Sequence, residues 1–375
     1  HHGIVAPTNT ALAKLDQQYL PGGAFYDGLA NAPLSIKRIV TNTHLSINPV
    51  YKTDLELGFY NGEEDIVTVD ANAIVDWQYG SNASFLGVDD PIVPRAFSSV
   101  TGPIYLRKGF ANIMEAIEIS DLLPALKRKR SPDEQYMFFV ESDYNSQQDS
   151  SLVYRGATRG FAAYQVTGST FREYVVTKND LRTLLLNHIA VREPTYSARK
   201  EFIKNLAGNY LIFNHETGEV RGTAKTTDGY RGNLTSVVIP QQIDLDADNG
   251  STWEIDDWFS FSTSSLFLII KTSFPEFYDL IVQADLAQVN LNRFTFISES
   301  ENYTVFAPTA SALAAVQADT LSQADLKKFV LTHFIRQQLI FTDGYAPSTY
   351  YETVRPAESS TQFNNVYASI FIETA

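Results

Sequence analysis

The chain has 375 residues, 44% of them apolar and 19% charged, with a net charge of −14 and no cysteine. That length exceeds one ordinary hydrophobic core, and the composition is that of a folded chain and not a disordered one. The acidic balance argues against a protein that grips phosphate backbones or anionic lipid through a basic face, and the missing thiols exclude disulfides, thiolate metal sites and cysteine nucleophiles.

From the N-terminus, GIVAPTNTALAKL (3–15) runs from strand chemistry into helix chemistry at Ala6-Pro7-Thr8. Proline ends ladder pairing, and threonine caps the helix that follows. IKRIVTNTHLSI (36–47) reads as a helical turn feeding an apolar strand that contains His44. VTGPIYLRKGF (100–110) reads as a turn followed by a strand, and 111–129 as a helix ending in the basic run KRKR (127–130). QYMFFVESDYNS (135–146) supplies a strand at Met137–Val140, with Glu141-Ser142 in place of Pro-Thr. LRTLLLNHIAV (181–191) repeats the helix-into-strand pattern around His188. DNGSTWEIDDWF (248–259) reads as a hairpin turn at Asn249-Gly250 leading into a strand. A helix candidate covers 264–286, and its longest apolar run, Leu266–Ile270, is far short of the roughly 20 residues of a membrane span. NYTVFAPTASALAAV (302–316) repeats the opening pattern at Ala307-Pro308-Thr309, and LKKFVLTHFI (326–335) repeats the histidine pattern at His333.

The spacings fit three units. His44 to His188 is 144 residues, His188 to His333 is 145, and Ala6 to Ala307 is 301. Aligned on the helical letters, His44 falls one position late and Thr43 takes the histidine slot. Units are expected at 1–109, 110–261 and 262–375, the middle one divergent and carrying insertions at 144–174 and 208–233. The first unit carries aromatic and Asn/Gly-rich stretches within 52–100.

TVFAPTASAL, GIVAPTNTAL, the two helix–histidine–strand segments and NGSTWEID together resemble the fasciclin, or FAS1, domain. The resemblance implies an α+β fold of tandem domains, each a β-sheet wedge packed with short helices. It implies structural motif positions at Ala6, Pro7, Thr8, His44, His188, Asn249, Gly250, Ala307, Pro308, Thr309 and His333. In some animal members of the family a Tyr-His pair in this region is implicated in integrin binding; here the preceding residues are Thr43, Asn187 and Thr332, so that role is not carried over. Against the family pattern, the first unit lacks its leading helices and the third its closing turn. The native chain is therefore expected to extend at both ends.

The histidines read as hydrogen-bonded core residues. Asp244, Asp246 and Asp248, with Gly250, resemble the start of an EF-hand loop and make a weak calcium candidate. Ile255 stands where such a loop needs its bidentate glutamate, so an acidic turn is the preferred reading. KRKR reads as a helix-end run complementing the dipole rather than a phosphate patch. Trp77, Trp253 and Trp258 are offered as core or sheet residues, with sugar stacking as the alternative. Glu254 and Asp256 share a solvated strand face rather than forming a glycosidase pair. No phosphate loop, nucleophile elbow or zinc-protease spacing is present, so no cofactor is expected.

The resemblance implies a non-catalytic binding or adhesion protein, extracellular or at the cell surface. Such domains recur in bacterial surface lipoproteins, including those of Bacteroidota, some of which accompany outer-membrane nutrient-uptake complexes. The expected partner is an extracellular or outer-membrane protein, a glycan or a peptide. Nucleic acid is not expected, and membrane association would come only through an anchor outside this sequence. A glycan-active enzyme with acidic residues on inserted loops, and a ligand-free spacer, are the rival readings.

Overall fold

The computed structural model describes residues 2–143, 150–156, 158, 160–167, 170–195, 199–224, 237–238, 241–243, 247–256, 258–262, 264–298, 301–341, 348–361 and 364–373. It divides into two compact units: His1–Tyr196 with Ile203–Ser260, and Ser197–Phe202 with Phe261–Ala375.

In unit 1, β1 (His2–Pro7) lies between β2 (Leu45–Ser46), which is antiparallel to it, and β4 (Ala83–Val88), which is parallel. β3 (Ile74–Tyr79) closes this sheet on the far side of β4. A second sheet repeats the plan. β5 (Tyr136–Val140) lies between antiparallel β9 (Ile189–Ala190) and parallel β13 (Gly250–Glu254), with β12 (Gln241–Gln242) beyond. The insertion after β5 carries strands of its own among its described residues. β6 (Ser150–Arg155), β7 (Gly160–Thr167) and β8 (Thr170–Val176) form an antiparallel meander. β10 (Tyr210–Asn214) and β11 (Glu219–Arg221) pair antiparallel in the other insertion.

The helices of unit 1 include α1 (Asn9–Tyr19), α2 (Leu34–Thr43), α3 (Gly102–Leu106), α4 (Ala111–Ile119), α5 (Leu123–Leu126) and α6 (Lys178–Asn187), besides shorter turns. Their starts are chemically marked. Thr8 accepts the Ala11 N–H at 3.2 Å, capping α1 directly after Pro7. Thr177 and Asp180 form a reciprocal capping box on α6. Thr177→Ala is expected to cost about 1 kcal/mol, read as a lower urea midpoint; a loss above about 2 kcal/mol would mean that Thr177 holds more than the helix end. No Pro-Thr follows β5, and none of the described residues 141–143 is helical. Instead Asp143 accepts the N–H groups of Ala111 at 2.7 Å and Asn112 at 2.9 Å, capping α4 from across the chain.

One apolar core joins Leu15, Ile36 and Val40 to Ile104, Ile117, Phe138 and Leu185. It runs across residue 110 without a break, so the first two sheets belong to one compact unit. Burial of this kind contributes roughly 25 cal/mol per Å² of apolar surface. A smaller cluster of Val5, Val50, Leu55, Phe59 and Leu86 covers one face of the first sheet, while Ile4 and Phe85 on the opposite face are exposed.

The segment at Gly102 differs from its sequence reading. It is helix α3, fully buried, with Pro103 in the first turn where a missing N–H costs nothing. The parallel strand of the first sheet is β4, much earlier in the chain. Lengths of inserted segments differ between the two sheets, so spacing from the histidine was a false guide.

Unit 2 contains α7 (Leu266–Ser273), α8 (Pro275–Gln283), β14 (Tyr303–Val305), α9 (Ala310–Ala315), α10 (Gln323–Thr332), β15 (Phe334–Arg336), β16 (Thr349–Pro356) and β17 (Tyr367–Ile372). Its sheet has the order β14-β15-β16-β17. Thr309 caps α9 through the Ala312 N–H at 3.3 Å. The core is Phe267, Ile270, Phe277, Ile281, Leu326, Val330 and Phe334. Helix ends in the two units also match. Asp121 after α4 and Asp285 after α8 both have positive φ, 53° and 57°. The next residue in each case donates its N–H five residues back at 3.1 Å, Leu122 to Ile117 and Leu286 to Ile281.

Candidate functional site: buried locks and an exposed aromatic groove

The three histidines stand at helix C-caps and not inside strands. Each ring turns back on its own helix. Nδ1 lies 2.7 Å from the Val40 carbonyl in His44, 2.7 Å from Leu184 in His188, and 2.8 Å from Phe329 in His333. A carbonyl only accepts, so Nδ1 carries the proton. Nε2 is then an acceptor. It takes the Ile92 N–H at 3.1 Å in His44 and the Phe259 N–H at 2.7 Å in His188. Nε2 of His333 has no partner among the described residues.

The backbone closes each arrangement. The histidine carbonyl accepts Val5 N–H at 2.8 Å, Phe139 N–H at 2.9 Å and Phe306 N–H at 3.0 Å, respectively. Ala6, Val140 and Ala307 each follow the donor. His44 is therefore the geometric counterpart of His188 and His333, and Thr43 is not. Thr43 donates its hydroxyl to the Ile39 carbonyl at 2.8 Å. Burial lowers the pKa of all three rings, that of His188 to about 4, with the i−4 carbonyl bond opposing it. These rings are neutral near pH 7.

Asn249 lies with Asp248 in a tight turn, as the sequence reading expects, with Ala247 and Gly250 bridged antiparallel across it and Gly250 opening the strand. Asn249 is fully buried and binds three backbone groups. Its Oδ1 accepts the Val100 N–H at 2.8 Å; its Nδ2 donates to the carbonyls of Leu126 at 2.6 Å and Arg128 at 2.9 Å. Gly250 opens β13 opposite Tyr136, and a Cβ there would lie 2.0 Å from the Tyr136 carbonyl oxygen. The pair stitches the entry of a parallel strand to α5 and to the segment before α3.

Of the calcium candidate, Asp244 and Asp246 lie outside the described residues. Asp248 is ion-paired with Arg95. No group of three or more His, Cys, Asp or Glu that could hold a metal ion occurs among the described residues. The KRKR run is partly spent inside the fold. Lys127 is buried and donates to the Glu63 carbonyl at 2.6 Å and to Asp65 at 2.8 Å. Arg130 pairs with Glu134 at 3.4 Å and lies over the Tyr136 ring at 4.6 Å. Trp258 packs edge-on against His188 with centroids 4.7 Å apart, and Trp253 donates to the Ser251 hydroxyl at 2.9 Å.

Trp77 has a different setting. It lies on β3 beside a groove of about 870 Å³ walled by Lys52, Glu56, Leu57, Val75 and Asp76. Tyr79, two residues on, sits 5.9 Å from the Trp77 ring and 6.2 Å from Tyr51, with which it stacks. Tyr51 and Tyr79 are 53% and 61% exposed. Sequence reasoning named Trp77 but missed the two tyrosines. Tyr51 and Tyr79 lie 28 positions apart; Tyr79 pairs with Ser84, whose hydroxyl accepts the Val50 N–H at 2.7 Å, and this brings them together.

No helix among the described residues is long and apolar enough to cross a membrane. No curated protein matches the chain. Among solved structures, the chain matches the FAS1 domain pair of the insect cell adhesion molecule Fasciclin I. Identity is 11%, over 69% of this chain and 88% of that one, with a TM-score of 0.22. The family model described as Fasciclin domain matches residues 272–375. Over that stretch, within unit 2, the chain is similar to the Fasciclin domain.

Proposed function

We propose that this chain is a non-catalytic binding protein of the cell surface, built from three copies of one sheet-and-helix unit at 1–109, 110–261 and 262–375. The observation that carries the reading is how the repeated polar residues are used. His44, His188 and Asn249 spend their nitrogens and oxygens on backbone groups inside the fold. Such residues hold sheets together and leave recognition to the inserted segments, which vary while a scaffold stays rigid. Fasciclin domains are generally adhesion or surface-binding modules, and the match over 272–375 supports the same role here.

The specific setting we favour is an accessory lipoprotein of a bacterial outer-membrane nutrient-uptake complex. There it would dock on a membrane protein and hold a glycan or peptide near it. Co-purification of the full chain from native membranes tests this. Stoichiometric recovery of an outer-membrane protein, with no release of products from polysaccharides, is the expected result. Polysaccharide turnover by the pure chain would overturn the non-catalytic reading.

A further inference from the structure

Trp77 lines the groove on β3, and Tyr79 and Tyr51 continue an aromatic surface beside it. The two exposed rings cost solvation, and the backbone under each is fixed in place. Tyr79 and Trp77 are pinned by pairing with Ser84 and Leu86 of β4. Tyr51 is pinned by its own turn, donating its N–H to Asp54 at 2.7 Å while its carbonyl accepts the Asp54 N–H at 2.9 Å. With the backbone held this way, each tyrosine has only two side-chain torsions to lose on binding, which is the usual advantage of aromatic contact surfaces. Trp77 is half-buried, packed against the Val5, Val50 and Leu86 cluster, so its ring is held from behind.

The charges narrow the occupant. Glu56 and Asp76 line the groove against Lys52, so the surroundings repel anions and disfavour acidic polymers. A peptide strand added to β3 is disfavoured too. β3 is an edge strand, but its register is broken between Ile74 and Asp76 and a carboxylate stands at the break. Both features blunt an edge against strand addition. A lipid tail would leave the charged groups on the rim unsatisfied. A neutral sugar chain fits all three constraints. Its C–H faces stack on the rings, and its hydroxyls donate to Asp76 and Glu56 and accept from Lys52. Pockets of several hundred Å³ are of ligand size.

We infer that Tyr51, Trp77 and Tyr79 form a binding platform for a neutral oligosaccharide. The inference rests on the surface-binding reading above and names the ligand class for one site. Its test is titration of the full chain with cellohexaose, xylohexaose, mannohexaose and maltohexaose, followed by calorimetry and tryptophan fluorescence, with oligogalacturonate as the anionic control. At least one neutral hexaose should bind, and oligogalacturonate should not. Tyr79→Ala and Tyr51→Ala, both at exposed positions, should each weaken binding by about tenfold or more without moving the urea midpoint. The proposal is overturned if no neutral sugar binds, if only the anionic one does, or if binding survives both substitutions. A silent sugar panel beside a captured membrane partner would remove the platform and leave the surface-binding role standing. Failure of both experiments would remove both.

Discussion

Gly250→Ala is expected to cost unit 1 on the order of 4 kcal/mol, read as a lowered midpoint in urea or guanidinium unfolding. Gly250 has φ +148°, and an added Cβ would meet the Tyr136 backbone at 2.0 Å from O, 2.6 Å from N and 2.7 Å from C. These are atoms of the paired strand and not the end of a flexible side chain. Either the β5–β13 ladder opens at its first pair or Tyr136 shifts, and Tyr136 is itself buried. The displacement also pulls on Asn249, whose three bonds reach Val100, Leu126 and Arg128. A buried donor or acceptor left without its partner costs roughly 1–3 kcal/mol. Gly208 is the control. Its φ is +91° but nothing lies within 4 Å of an added Cβ, so Gly208→Ala should cost only about 1 kcal/mol. Equal effects at the two glycines would contradict the steric account.

Acidification from pH 7 to pH 4 is expected to remove about 3 kcal/mol of unit 1 stability through His188 alone. The ring is fully buried, and desolvation lowers its pKa to about 4, against about 6.5 for a free imidazole. Between those values the unfolded chain binds a proton that the folded chain does not. Stability therefore rises with pH across that window, and the contribution present above pH 6.5 is lost as pH falls toward 4. His44, in the same unit, is shifted in the same direction by burial and adds to the slope. His188→Gln removes one titrating group, so it should lower the plateau at pH 7 and flatten the slope. Urea unfolding at pH 7, 6, 5 and 4 reads both effects. A wild-type curve that stays flat between pH 6.5 and 4 would show that the ring is not buried neutral.

The parts of this fold that were plain in the sequence are those set by local chemistry. Pro7 and Thr8 stop a strand and start a helix because proline lacks a donor and a threonine hydroxyl caps, and the same holds at Pro308 and Thr309. The parts that were hidden depend on contacts far along the chain. In LLLNHIAV every neighbour of His188 suits helix or strand, so nothing local marks the C-cap; the ring's bond to Phe259, 71 residues on, does. His44 read one place late because the helix letters were aligned and not the histidine's own bonds. Asn249-Gly250 has the letters of a hairpin turn, and its burial against Leu126 and Arg128 comes from packing that no dipeptide reveals. The aromatic groove was half legible: Trp77 is conspicuous by its rarity, while Tyr51 and Tyr79 are two among 20 tyrosines.

Three helix–histidine–strand junctions sharing one hydrogen-bond plan are what tie the proposed copies together. Long-range ¹H–¹⁵N correlation of the imidazoles at pH 7 reads that plan at each ring. The expected spectrum has His44, His188 and His333 all in the Nδ1–H form, with His188 still neutral at pH 5. An Nε2–H tautomer at any of the three, or an imidazolium at His188 at pH 6, would mean that the three junctions are not one structure repeated.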